Sequence, residues 1–65
     1  MMMNYKFEVF GNCGGALFLT EEDAISTLWL LGQYHDLDID KNIVKRALKK
    51  DGYYEAFPLV IKAIS

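Results

Sequence analysis

The sequence predicts a small α+β domain with its elements in the order ββααβ. Three observations lead to this prediction. Residues 5–10 alternate between polar and apolar side chains, two later stretches repeat apolar residues at helical spacing, and the last apolar run returns to strand formers. A chain of 65 residues has room for a single domain, residues 1–65. We therefore expect an antiparallel sheet that both helices cover on one face.

The first two strands are expected to form a β-hairpin. Residues 5–10 are rich in strand formers, and residues 16–19 resume an apolar run after the glycine-rich segment Gly11–Gly15, which suits a turn. Backbone amides in that segment could also bind an anion, but it lacks the Lys-Ser/Thr ending of a P-loop and does not open a helix. Hairpin geometry is the simpler interpretation, and residues 1–4 are expected to be a disordered start.

The first helix is predicted to begin after Thr20 and to run to about Tyr34. The Thr20 hydroxyl can accept a hydrogen bond from the amide of Asp23, and acids in the first turn suit the positive end of the helix dipole. Trp29 borders the buried stripe, and Leu30 lies off it, one turn before Tyr34. The stripe itself, at helical spacing, comprises Ala24, Ile25, Leu28, Leu31 and Gly32.

The second helix is predicted to cover Lys41–Lys50, with Asp40 as its N-terminal cap. Ile39 is placed to pack across the first turn, cations suit the negative end of the helix, and Gly52 follows as the stop. The positions expected to face the core are Ile43, Val44, Ala47 and Leu48.

The last 13 residues are open to two interpretations, strand or helix. Residues 59–61 favour a strand, yet Phe57, Ile61 and Ile64 also fit one face of a helix. A third strand would steady a sheet that otherwise has only two, so a strand is the preferred prediction. Pro58 cannot donate to a strand ladder, so this strand is expected to begin near it or to lie at an edge.

The composition excludes several ways of stabilising so small a domain. Such a chain buries only about 60% of the surface that its unfolded form exposes. Cys13 is the only cysteine and His35 the only histidine, which excludes an internal disulfide and a zinc site of cysteine and histidine ligands. Because 52% of the residues are hydrophobic, some apolar surface is expected to stay exposed, and a homodimer would cover it.

The chain has no apolar run of the roughly 20 residues that span a bilayer. Its start also lacks the pattern of a secretory signal. We therefore expect a soluble, cytoplasmic protein, in agreement with a single free thiol.

No catalytic set is evident. A nucleophilic Cys13 would need a base, and His35 is the only histidine that could serve, but no fixed spacing brings the two together. The simpler interpretation is a small residue in a turn. We therefore predict that the protein is not an enzyme and uses no cofactor.

Three alternating carboxylates between the helices, Asp36, Asp38 and Asp40, match the first ligand positions of a calcium-binding EF-hand loop. The rest of that pattern fails, because Lys41 stands where the loop needs Gly and Ala47 where it needs a bidentate Glu. We expect no metal site, with Asp40 as a helix cap and the other two carboxylates solvated.

Charge is divided unevenly along the chain. Residues 1–40 hold seven acids and one base, a formal charge of −6, whereas residues 41–65 hold six bases and two acids, a formal charge of +4. Helix ends account for part of this division. The rest indicates association, because a surface of one sign selects partners of the other.

These features predict a non-enzymatic protein-binding module. Small acidic chains of this kind occur among inhibitors and regulators of phages and other mobile elements, so an inhibitor or regulator of a larger host protein or complex is the expected role. The expected contacts lie on the first helix, as apolar anchors and an acidic rim. They are Trp29, Leu30 and Tyr34, with Glu21, Glu22 and Asp23.

Nucleic-acid binding through the second helix is the alternative. Its cations could bind phosphates, and Tyr53 and Tyr54 just beyond could stack on bases. The acidic remainder of the chain and the presence of only one Arg among the cations count against it. The cations are Lys41, Lys45, Arg46, Lys49 and Lys50.

Overall fold

A computed structural model describes residues 4–11 and 14–64 of the protein. Within these residues the order is ββααββ, which confirms the predicted α+β class and adds one strand to the prediction. In the same part of the chain, neither helix is long and apolar enough to cross a membrane. The elements are β1 (Phe7–Gly11), β2 (Gly14–Phe18), α1 (Glu21–Tyr34), α2 (Lys41–Asp51), β3 (Tyr53–Ala56) and β4 (Leu59–Ala63).

The strands form one antiparallel sheet in the order β2-β1-β4-β3. Val9 in β1 faces Ala16 of β2 on one side and Ile61 of β4 on the other. Val9 and Ile61 belong to the core formed with the helices, so their side of the sheet is the covered face. Because side chains alternate along a strand, Glu8 and its partner Lys62 lie on the opposite, open face.

The N-terminal hairpin is confirmed, with boundaries that differ from the prediction. β1 begins at Phe7 instead of residue 5, and β2 begins at Gly14 instead of residue 16. Most of the predicted glycine loop is therefore strand, and Gly11 pairs with Gly14. Asn12 and Cys13 lie outside the described residues, as do residues 1–3 of the predicted disordered start, whereas Asn4 has no regular secondary structure.

The C-terminal segment is a second hairpin, in which β3 and β4 pair antiparallel. The predicted strand is confirmed as β4, which begins at Leu59, directly after Pro58. The bond between Phe57 and Pro58 is cis. Sequence reasoning missed β3. This strand has only four residues and begins directly after Gly52, so no run of turn residues separates it from α2.

The structure confirms the three predicted capping residues, Thr20, Asp40 and Gly52. The Thr20 Oγ1 atom accepts from the amide of Asp23 at 3.2 Å. The Asp40 Oδ1 atom accepts from the amides of Asn42 at 2.8 Å and Ile43 at 3.4 Å. At the end of α2, Gly52 has a φ of 80°, and its amide donates to the Leu48 carbonyl at 3.0 Å. These caps satisfy backbone groups that a helix end otherwise leaves unpaired.

The end of α1 uses a residue that sequence reasoning overlooked. Asp36 has a φ of 56°, in the left-handed region, and its amide donates to the Gln33 carbonyl at 3.2 Å. The amide of Leu37 donates back to the Gly32 carbonyl at 2.8 Å. This pair of hydrogen bonds is a Schellman motif, in which glycine is the usual left-handed residue.

The core lies between the covered face and the two helices. Ile43 was predicted to face this core, and that prediction is wrong, because its side chain is 51% exposed. α2 packs on the sheet along a narrow stripe, so only Val44 and Leu48 of its residues are buried, and Ala47 is half-buried. The buried apolar residues are Val9, Ala24, Ile25, Leu28, Ile39, Val44, Leu48, Leu59 and Ile61.

Candidate functional site

The outer surface of α1 carries two large apolar side chains that the fold leaves uncovered. Leu30 is 59% exposed and Tyr34 is 89% exposed. The buried positions of α1 include Leu28 and Gly32, so the side of the helix that carries Leu30 and Tyr34 is turned to solvent. Residues four apart lie one above the other on a helix, so these two side chains form a continuous apolar surface.

Trp29, predicted with them, has a different environment. Its ring is half-buried and packs against the core. The Lys41 Nζ atom lies 5.0 Å from the centre of the indole ring, within the range of a cation–π interaction. Trp29 therefore joins α1 to the start of α2, and only part of its ring remains available to a partner.

The three predicted acids at the start of α1 also divide into two groups. Glu22 and Asp23 are exposed beside the outer surface of α1. Glu21 is half-buried and lines a cleft of about 450 Å³ with cations of α2. The rim proposed for a protein partner is therefore reduced to two carboxylates, Glu22 and Asp23.

That cleft brings together part of the predicted basic set. Lys45, Arg46 and Lys49 line it, opposite Glu21. Lys41, by contrast, lies over the Trp29 ring, and Lys50 is exposed outside the cleft. The end of α2 therefore meets the start of α1, which means that the two helices run antiparallel and that acidic and basic helix ends are neighbours.

The acidic connector between the helices does not gather its carboxylates. Asp40 caps α2, whereas Asp36 and Asp38 are exposed beside a shallow hollow with Gln33 and Leu37. Within residues 4–11 and 14–64, no three His, Cys, Asp or Glu side chains are close enough together to hold a metal ion. His35 caps the end of α1 through its backbone amide, and Cys13 lies outside the described residues, so their pairing stays untested.

The open face and the free edge of β2 are surfaces that sequence reasoning missed. On the open face, Lys62 lies 3.9 Å from the Glu8 carboxylate and 5.9 Å from the centre of the Phe10 ring. Leu17 is 48% exposed on the same face, opposite Glu8. The alternation of β1 predicts two faces, but it does not tell which strand ends the sheet.

Comparison with models of protein families, with curated proteins and with solved structures finds no match to this chain. The geometry of the surfaces described above is therefore the basis for a functional proposal.

Proposed function

We propose that this protein is a non-enzymatic binding module that inhibits or regulates a larger protein or complex through the outer surface of α1, and that it acts as a homodimer. The observation that supports this most directly is the adjacent exposure of Leu30 and Tyr34, at 59% and 89%. Large apolar side chains in contact with water favour association, because a partner would remove that area from water.

The chemistry of this surface suits a protein partner. Tyrosine is among the residues that contribute most to protein interfaces, since it combines a large apolar ring with a polar hydroxyl group. Glu22 and Asp23 lie on the same helix and would attract a partner whose contact surface is basic. We therefore expect the partner to offer an apolar pocket beside cationic side chains.

The test replaces both anchors, Leu30→Ser and Tyr34→Ser, in a tagged protein used for affinity capture from its source cell with mass spectrometry. We expect the captured partner to be lost, with the thermal unfolding curve unchanged, because both side chains are largely exposed in the fold. Ile43→Ser is the matched control, since Ile43 has similar exposure on α2, away from the outer surface of α1.

Two results would contradict the proposal. If the double variant captured the same partner as the wild type, another surface would make the contact. If it failed to fold while Ile43→Ser folded normally, the two side chains would be part of the structure and not a free surface.

A second candidate function, nucleic-acid binding, is favoured by one observation. Lys45, Arg46 and Lys49 converge on a single cleft of about 450 Å³. Three cations in a concave site could bind a phosphate backbone. The carboxylate of Glu21 in the same cleft lowers the positive charge that a phosphate would meet.

For this candidate we expect Lys45→Glu with Arg46→Glu to remove binding to labelled DNA and RNA, measured by fluorescence anisotropy at low salt. Affinity should fall steeply as salt increases, because bound phosphates release counterions. Lys6→Glu is the control, since Lys6 is an exposed cation that does not line the cleft. A flat titration of the wild-type protein at low salt would exclude nucleic-acid binding.

A further inference from the structure

We propose that two copies of this protein pair edge to edge through β2, so that their sheets join into one. The strand order places β2 at one end of the sheet, where no strand of the described residues lies beside its outer N–H and C=O groups. Its sequence is Gly-Gly-Ala-Leu-Phe, and four of these five residues are exposed. An edge strand without charge or proline is a template for a second strand.

The opposite edge of the sheet is protected. β3 carries Glu55 at an exposed position, and Pro58 follows it in the turn to β4. Charge and proline are among the means by which natural sheets block edge pairing. Of the two edge strands that the structure describes, β2 has neither, and the expected assembly is therefore a closed pair.

A second copy is the occupant that best suits β2. Two β2 strands related by a two-fold axis run antiparallel, and neither brings a charge to the contact, so no like charges meet. Gly14, Gly15 and Ala16 have no side chain beyond a methyl group, which leaves a foreign strand little to recognise apart from the backbone. Pairing with a second copy of β2 requires only the hydrogen bonds of that backbone.

One five-residue strand is too small for a stable contact, because a specific interface buries about 800 Å² on each partner. α1 supplies the additional surface. A cleft of about 270 Å³ lies beside β2, between Ala16 and the flank of α1 that carries Thr27 and Leu31. In a two-fold pair, this flank of α1 would border the neighbouring copy and add to the area of contact.

This pairing goes beyond the function proposed above, since it uses β2 and the inner flank of α1. Leu30 and Tyr34 are not among the residues that line the cleft. A two-fold pair would therefore present the outer surface of α1 twice, and a partner with two matching sites would gain affinity from both contacts.

The test is sedimentation equilibrium of the full chain over a wide concentration range, with Leu17→Lys as the key variant. Leu17 lies in β2 directly opposite Glu8, so a lysine there gains an opposite charge within the monomer and brings like charges together at a shared β2 edge. We expect the wild type to form dimers and Leu17→Lys to dissociate at least about tenfold more readily, as charges at an edge oppose pairing. Its thermal unfolding as a monomer should remain cooperative.

Tyr53→Glu is the matched control. Tyr53 lies on the other edge strand, exposed on the open face and directly opposite Lys62, so glutamate there also gains an opposite charge. The proposal predicts that this variant dimerises like the wild type. Equal dissociation by both variants would place the contact on the open face, and a wild type that stays monomeric up to roughly millimolar concentration, beyond the range of a specific contact, would overturn the pairing altogether.

A loss of partner capture by the variant with Leu30→Ser and Tyr34→Ser, together with retained dimers, would separate the two proposals. The reverse result, loss of dimers with that variant, would show that the pairing uses the outer surface of α1 and would contradict the β2 assignment.

Discussion

Asp36 ends α1 in a conformation that costs an ordinary residue free energy. Its φ of 56° lies in the left-handed region, where the Cβ atom approaches the backbone. The residue also places a carboxylate beyond the negative end of α1, where a cation would be favourable. Local hydrogen bonds hold this conformation. The next residue, Leu37, packs against the core and so also fixes the chain here.

We therefore expect Asp36→Gly to raise the free energy of unfolding by about 1 kcal/mol, because glycine adopts positive φ without strain. The measurement is urea denaturation. Asp38→Gly is the control: Asp38 lies in the same connector but has negative φ, so glycine there should only add freedom to the unfolded chain and destabilise the protein. Equal effects of the two changes would contradict this account.

Residue types explain which helix ends could be predicted from the sequence. Thr20, Asp40 and Gly52 are residues that prefer the positions they occupy, so their roles are visible without a structure. Asp36 fills a position that normally calls for glycine, and nothing in its neighbourhood in the sequence marks it. Residue propensities do not identify a common motif when a less common residue fills its key position.

At the scale of elements, α2 depends on few contacts. Its buried residues are Val44 and Leu48, and most of its other positions are polar. Short helices are marginal on their own, so packing and end effects decide whether this one forms. Asp40 supplies the main end effect, since one carboxylate oxygen accepts from two amides.

We expect Asp40→Ala to lower the free energy of unfolding by about 1 kcal/mol through loss of this cap. Thr20→Ala should cost less, because the Thr20 hydroxyl accepts one bond at 3.2 Å and α1 is held by four buried residues. Asp40→Asn should retain most of the stability, since its amide oxygen can still accept. Thermal unfolding followed by circular dichroism measures all three changes, and a larger loss for Thr20→Ala would refute the comparison.

Periodicity predicted the elements better than their inner faces. The predicted stripe of α1 spans residues 24–32, about two and a half turns, and four of its five members are buried. In α2 the pattern allowed both Ile43 and Val44 to face inward, but only Val44 and Leu48 of this helix are buried. β3 escaped prediction because four residues are too few to show an alternation.

At the scale of the whole molecule, folding brings residues from the acidic and the basic parts of the chain close together. The antiparallel helices bring the acidic first turn of α1 beside the basic part of α2, where Glu21 lines one cleft with Lys45, Arg46 and Lys49. Part of the asymmetry is therefore balanced within the molecule. The part that remains for partners includes Glu22 and Asp23, which are exposed.

Because of this arrangement, we expect Glu21 and Glu22 to contribute unequally to stability. We expect Glu21→Lys to destabilise the protein by about 0.5 kcal/mol more than Glu22→Lys, the usual scale of a surface charge interaction. Both changes lose the same attraction to the helix dipole, but only Glu21→Lys adds a fourth cation to the cleft. Urea denaturation should show the difference at low salt and lose it at high salt, because salt screens exposed charges. A difference that persisted in high salt would indicate packing instead.

Only part of the candidate site could be predicted from the sequence. Leu30 and Tyr34 could be identified because they fall off the apolar stripe of a single helix, which needs only local spacing. The cleft depends on how two helices cross, and the bare edge depends on strand order. Both are relations between distant parts of the chain, and hydrophobic spacing carries no information about either.

The two unlike edges of the sheet also bear on how the protein behaves when it is concentrated. A sheet with two bare edges can add copies without end, and such growth leads to fibrils. In the proposed pair, β3 with its exposed Glu55 would end the ladder that begins at β2. An apolar strand at the surface would then not lead to fibrils, because growth from it would stop at the second molecule.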